Sequence, residues 1–303
     1  MVDYFFLEEA VDLLGIESEE LTLKCINEDI PGAFRAGLQK KWIIPKAWVL
    51  SHNKELIDGC FDYENIHDYL KKVSQLIREN EELIEQCINF VKEFADNNND
   101  GHNLNHLYDV MKFSLLLHIF EGGNVIVLIV ASILHDIHRY ITDEKGNSIM
   151  PQESVEYIKS FVNQIGLIDK EKKIVFEAVA HHEDYHFDVN DSIEELSIES
   201  KIIQDADNLD AMGAIGIFRC IKYGCSHGIP DYDSSVSFYQ INPYYDSFKE
   251  ASSIHHMNNK LIRLPKTLNT KTARLIGIRR NVIVRNFIDE YIEETELIQN
   301  NAE

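Results

Sequence analysis

The chain is short of positive charge, of cysteine and of long apolar runs. Its 303 residues carry 29 Lys and Arg against 51 Asp and Glu, a formal net charge of −22. Gripping a nucleic-acid backbone or an anionic lipid surface along an extended face takes many Lys and Arg contacts. Uniform acidity argues against that class of partner and leaves room for a local basic site. The five cysteines, Cys25, Cys60, Cys87, Cys220 and Cys225, are odd in number and contain no C-x-x-C pair. Nothing in their spacing suggests a zinc ribbon or a disulfide framework, and a reducing cytoplasm is the expected location. Met1–Ala10 lacks the basic-then-apolar pattern of an export signal, and the longest apolar run, Val125–Leu134, is about half of a membrane span, so neither secretion nor membrane insertion is expected. Internal repeats and low-complexity tracts are also missing.

What is present suffices for a core. Hydrophobic residues make up 45% of the chain and aromatics 10%, which excludes a disordered acidic protein. The length fits one large or two modest domains. The first 50 residues read differently from the rest. Helical periodicity over Phe5–Leu14 (Phe6, Ala10, Leu13, Leu14) ends at Gly15, and Ser18 with Glu19 and Glu20 starts a second helix through about Glu28. After Pro31-Gly32, the alternation over Ala33–Pro45 around the polar tip Gln39-Lys40-Lys41 predicts a small hairpin. Glu8-Glu9-Ala10, Leu13-Leu14-Gly15-Ile16 and Trp42-Ile43-Ile44-Pro45 resemble the first helix and wing end of excisionase-like or MerR-like helix-turn-helix modules. That resemblance implies a small winged helix-turn-helix over residues 1–52. The second helix, the one that would enter a DNA groove, holds Glu19, Glu20, Glu28 and Asp29 against the single Lys24. A groove-reading helix presents donors to phosphates and bases. DNA is therefore not favoured as its partner, and a docking role is the competing expectation. Arg35, Lys40, Lys41 and Lys46 on the wing are the argument for nucleic acid.

A long helical pattern from about Asp62 to Ala95 (Ile66, Leu70, Val73, Leu76, Ile77, Leu83, Ile84, Ile88, Val91) predicts a connector, 53–97, that packs on the main domain, 98–303. The main domain is helix-periodic, with breaks near Gly122-Gly123, Gly146–Pro151, Glu183–Asp191, Gly224–Pro230 and Asn242–Tyr245. The fold class expected is mainly α.

Among the thirteen histidines, those near the most apolar segments stand out. His106 shares a helical stripe with Val110, Phe113 and Leu117. His135-Asp136 directly ends the apolar run Val125–Leu134, and Asp207 lies one turn beyond Ile203 on a helix that reads as buried. Burying imidazoles and carboxylates is costly unless they are paired or bound to metal. Two histidines and two carboxylates from three helices suit a divalent ion, and the mixed N/O set is compatible with Mn, Co, Ni, Fe, Zn or Mg.

The order His106, His135-Asp136, Asp207 resembles the H…HD…D signature of the HD superfamily of metal-dependent phosphohydrolases. The run Asp205-Ala206-Asp207-Asn208-Leu209-Asp210-Ala211-Met212-Gly213-Ala214-Ile215-Gly216-Ile217-Phe218-Arg219 resembles a block of its small bacterial subgroup. His256 with Lys260-Leu261, and Leu268-Asn269-Thr270 with Ala273-Arg274, resemble two further elements, so the likeness spans about residues 95–295. It implies an all-helical domain, metal ligands His106, His135, Asp136 and Asp207, and Asp205 and Asp210 beside them. It also implies hydrolysis of phosphate esters, in some relatives of nucleoside triphosphates. Three positions depart from the pattern: His102-Asn103-Leu104-Asn105-His106 replaces His-Asp-x-x-His, Asp109 stands where Arg is common, and His138-Arg139 replaces Gly-Lys. Arg139 can supply the charge of that Lys. His181-His182-Glu183 resembles an element that adds ligands in two-metal members. Here it is expected to bind a second metal, to contact phosphate or protonate a leaving group through His181 or His182, or to play a structural or surface role.

Between Met257 and Asn286 lie Lys260, Arg263, Lys266, Lys271, Arg274, Arg279, Arg280 and Arg285 with no acid, a local +8 that leaves −30 elsewhere. A one-signed stretch in an acidic chain suits a phosphate-rich ligand or an acidic partner better than an ordinary solvated face. Lys260 and Arg274, at positions matching the family, are the expected substrate contacts with Arg139. The expected activity is metal-dependent hydrolysis of a small phosphorylated molecule, a nucleotide in the first instance. The competing expectation is a nucleotide-sensing regulator or docking protein with little turnover.

Overall fold

The computed structural model describes residues 4–14, 16–36, 41–45, 48–49, 52, 61, 65–94, 104–144, 146–184, 196–236 and 251–300. Gly15, Lys40, Lys46, His102 and Asn103, and the breaks expected over 185–191 and 242–245, lie outside the described residues. The chain divides into two compact units, Met1–Asp62 and Tyr63–Glu303.

The first unit holds β1 (Tyr4–Phe6), α1 (Leu7–Leu14), α2 (Ser18–Ile26), β2 (Phe34–Ala36) and β3 (Lys41–Pro45). Its antiparallel sheet has the order β1-β3-β2, with Phe5 opposite Ile44 and Arg35 opposite Trp42. Tyr4-Phe5-Phe6 is a strand and not the start of the first helix, as the periodicity had predicted. Three aromatics are good strand formers, and here they pair with β3. The second helix stops at Ile26, and Glu28 takes a positive φ of 62°. Ala10, Leu21 and Ile44 are completely buried and form the small core beneath the sheet.

The second unit is built of helices. α3 (Ile66–Glu79) and α4 (Glu81–Lys92) divide the continuous pattern predicted for this stretch. Asn80 leaves the helical region, and its side-chain Nδ2 donates to the Leu76 carbonyl at 2.8 Å, the local competition with helix bonding that makes Asn a helix terminator. Tyr69 packs edge-on to Phe120 and Phe90 stacks on Phe161 at 4.4 Å, which ties both helices to those that follow.

These are α5 (Leu104–Glu121), α6 (Val125–Leu134), a 3-10 turn His135–Tyr140, α7 (Pro151–Gln164), α8 (Asp169–His181), α9 (Ile198–Asp210), α10 (Gly213–His227), α11 (Ser253–Asn259), a second 3-10 turn Leu261–Thr267 and α12 (Lys271–Asn300). α6 is the hub and packs against α4, α5, α8 and α9. Every residue from Val127 to Leu134 is buried, and each large aliphatic side chain so buried contributes roughly 1.5–3 kcal/mol. An apolar helix cannot satisfy its own N-terminal N–H groups. Asn124 does so, accepting from the backbone of Ile126 at 2.9 Å and of Val127 at 3.3 Å. It also donates from Nδ2 to Glu171 and from its backbone N–H to Glu199, both at 2.8 Å, so one residue caps α6 and links it to α8 and α9. No helix among the described residues is long and apolar enough to cross a membrane.

Candidate metal centre

α6 runs out of apolar residues at Leu134, tightens into the 3-10 turn and delivers His135 and Asp136 into the interior, 0% and 2% exposed. α5 brings His106 to the same point and α9 brings Asp207. His135 Nε2 lies 3.2 Å from His106 Nε2, 3.7 Å from Asp136 Oδ2 and 3.9 Å from Asp207 Oδ1. His106 Nε2 lies 3.2 Å from Asp136 Oδ2 and 3.4 Å from Asp207 Oδ1. Atoms bound to one metal at about 2.0–2.2 Å stand roughly 3.0–3.5 Å apart, close to the spacing observed.

The opposite edges of the two rings decide what they point inward. His106 Nδ1 is 2.8 Å from Asp210 Oδ2, and His135 Nδ1 is 2.7 Å from the Ser132 carbonyl. Carbonyl and carboxylate oxygens only accept, so each Nδ1 carries a hydrogen and each Nε2 turns its lone pair inward. Two lone pairs and two carboxylate oxygens then face one point. That arrangement is repulsive without a cation and is the donor set of a divalent ion. Asp136 Oδ2 is buried and makes no hydrogen bond, as a coordinating oxygen would.

In the metal-free protein a proton on His106 Nε2 answers that repulsion. Burial works against charge on His106, but Asp136, Asp207 and Asp210 outweigh it and hold its imidazole up to about 10. Burial pushes His135 down to about 4. Burial also opposes ionisation of the two aspartates. Arg139 and His135 nevertheless hold Asp136 well below the usual carboxylate range, and His106 and His135 do the same for Asp207.

A second group adjoins the first. His182, 1% exposed, donates from Nδ1 to the Val179 carbonyl at 2.8 Å, and its Nε2 lies 3.6 Å from Asp136 Oδ1 without a hydrogen bond. His138 Nε2 lies 3.5 Å from Glu183 Oε2. Arg139 donates from Nε to Asp136 Oδ1 at 2.9 Å and from Nη2 to Glu183. Burial disfavours the Glu183 carboxylate, but Arg139 and His138 hold it down at about 2. His181 turns the other way, its Nδ1 2.6 Å from Asp184 Oδ2 on the half-buried surface, and stands outside both groups.

Asp210, which the sequence set beside the ligands, accepts both His106 Nδ1 and Arg219 Nη1 on the same oxygen, Oδ2. Asp205 points elsewhere. Its two oxygens accept the backbone N–H groups of Asn269 and Thr270, each at 2.7 Å, and fasten the start of α12 to α9. Burial raises it to about 6 in spite of those bonds. Burial lowers the pKa of Lys260, while Glu183 and Asp207 raise it and Arg139 and Arg219 add to the lowering, so its ammonium feels both groups. Arg274 donates to the Leu268 carbonyl at 2.8 Å. Arg280 donates to the Leu209 carbonyl at 2.6 Å and lies over the Phe113 ring. Of the eight basic residues between Met257 and Asn286, these two are spent on fastening helices. Sequence reasoning did not single out Glu183 and Arg219 as site residues, although both lay inside the quoted motif runs, Glu183 directly after His182 and Arg219 at the end of the run that starts at Asp205.

The model of the HD domain family matches residues 103–212, the stretch that contributes His106, His135-Asp136 and Asp207. Residues 103–212 are thus similar to an HD domain and include a His/Asp cluster able to hold a metal ion. An HD-superfamily hydrolase of Bacillus thuringiensis is 28% identical, with 72% of this chain and 98% of that chain covered at a TM-score of 0.54. The uncharacterized Bacillus subtilis protein YpgQ is 24% identical over 212 residues, 70% of this chain and 91% of that protein. The structure of YpgQ in complex with ADP shares the fold at 21% identity and a TM-score of 0.50, over 70% of this chain and 97% of that one.

Proposed function

We propose that this protein is a metal-dependent phosphohydrolase acting on a nucleotide or a similar small phosphorylated molecule. The observation that carries the reading is the convergence of His106 Nε2, His135 Nε2, Asp136 Oδ2 and Asp207 Oδ1 on one buried point with both imidazole lone pairs turned inward. The ADP complex of YpgQ supports a nucleotide as ligand. His106, His135, Asp136 and Asp207 would hold the ion. When bound, a divalent ion neutralises phosphoryl oxygen and lowers the pKa of water toward neutrality.

The chain's own residues supply the rest. Asp210 holds the His106 ring by its outer nitrogen, and Ser132 does the same for His135. His182 is the proton donor to the leaving oxygen. Burial opposes its charge, but Asp136 and Glu183 raise its pKa, which keeps a proton on a ring one residue from Glu183. His181 is left with a supporting part, since its ring is tied to Asp184. Lys260 and Arg139 carry the positive charge that a phosphate anion requires, with Arg274 committed to the Leu268 carbonyl. The first unit, with its acidic second helix, is read as a docking module built on a helix-turn-helix plan.

The test is a panel of nucleotides and a generic phosphatase substrate assayed with Mn, Co, Ni and Mg, with an EDTA control and identified products. Turnover dependent on metal, lost in His135→Ala and Asp136→Ala, is expected. Tight nucleotide binding with no turnover under any metal would replace the enzyme by a nucleotide sensor.

A further inference from the structure

Beside the four primary donors stands the second group, Asp136, His138, His182 and Glu183, whose candidate ligand atoms lie within 4.8 Å of one another. Two imidazoles and two carboxylates have the chemistry of another divalent cation site. Asp136 belongs to both groups, with Oδ2 facing His106 and His135 and Oδ1 facing His182. A carboxylate placed this way is one that two neighbouring cations could share.

The second group already has a cation, and the chain provides it. Arg139 donates to Asp136 Oδ1 at 2.9 Å and to Glu183. A guanidinium is permanently charged, planar and able to bond two carboxylates at once. It satisfies the acids but gives nothing to an imidazole lone pair, and His182 Nε2, deep in the protein, makes no hydrogen bond.

Taking the primary site to be a metal centre, as proposed above, we infer that Arg139 occupies the second cation position as a built-in substitute. The protein then holds one divalent ion per chain, and a second site is latent in Asp136, His138, His182 and Glu183. Excluding the second ion leaves His182 Nε2 available to carry a proton and not a metal.

The experiment is equilibrium dialysis of the full chain against Mn²⁺, with metal content and EPR spectra read together. The wild type is expected to hold one ion with an uncoupled spectrum. Arg139→Met is expected to hold two, exchange-coupled through Asp136, and His182→Ala in that background is expected to return the count to one. Arg139→Lys keeps the charge and is expected to stay at one. Arg139→Gln and Arg139→Ala serve in turn should Arg139→Met not fold. Two ions in the wild type, or one in a folded Arg139→Met, would overturn the role of Arg139 alone. No ion in the wild type would overturn the reading of the primary site itself.

Discussion

His106 is the residue on which the centre turns, since it touches every other primary donor with Nε2 and is held from behind by Asp210. Outer partners of this kind fix ring orientation and typically matter by about 10–100-fold in metal affinity. Asp210→Ala is expected to weaken Mn²⁺ binding by that factor, read by competition titration; unchanged affinity would remove Asp210 from the account. The His106 proton, held up to about 10 in the metal-free protein, has to leave when metal arrives. Calorimetry in buffers of different ionisation heat is expected to show proton release and an affinity that rises with pH. Stability of the metal-free protein follows the same groups. His135 at about 4 and His256 at about 3 sit below their ordinary 6.5. As pH falls below 6.5 the unfolded chain therefore takes up protons that the folded one refuses. Stability drops by up to about 1.4 kcal/mol per pH unit for each. His106 has the opposite sign: its contribution is complete below 6.5 and is lost as pH climbs toward 10. Urea denaturation of the metal-free protein across pH is expected to show a maximum near 6.5, and a steady rise with pH from 7 to 10 would contradict it.

At the scale of elements, α6 has to be both the most apolar helix and the carrier of His135-Asp136. Asn124 makes this stable by capping it and bonding Glu171 and Glu199. Asn124→Ala is expected to cost at least the ~1–2 kcal/mol of a lost cap, measured by urea denaturation, with metal binding reduced in step. The turn from α9 to α10 is equally constrained. Gly213 has φ +73°, and a Cβ on Gly216 would lie 2.1 Å from the Ala211 carbonyl oxygen. Gly216→Ala is expected to lower the melting temperature more than Gly122→Ala, where added atoms meet open space and only the positive φ of +80° works against a side chain. This is also the scale at which sequence legibility divides. His106 on its stripe, His135-Asp136 at the end of an apolar run and Asp207 on a buried helix were visible because burial leaves a period in the sequence. The strand Tyr4–Phe6 was not, because its partner Ile43–Pro45 lies far along the chain and pairing leaves no local mark. Nor was the direction of Asp205, which is set by the loop at Asn269-Thr270, or the Arg139–Glu183 pair, which joins two separate segments.

At the scale of the whole molecule, a chain with a large acid excess holds a buried, cation-seeking centre. The basic stretch between Met257 and Asn286 is divided between structure, as at Arg274 and Arg280, and the site, as at Lys260. With a net charge of −22, duplex DNA is expected to give no gel shift at physiological salt, and a shift that weakens steeply with added salt would reinstate nucleic acid as a partner. The central claim, a cation held by His106, His135, Asp136 and Asp207, is tested most directly by anomalous diffraction from crystals grown with Mn²⁺. A single strong peak within about 2.0–2.3 Å of His106 Nε2, His135 Nε2, Asp136 Oδ2 and Asp207 Oδ1 is predicted. Crystals with no peak at that point, or with the ion bound elsewhere, would contradict it.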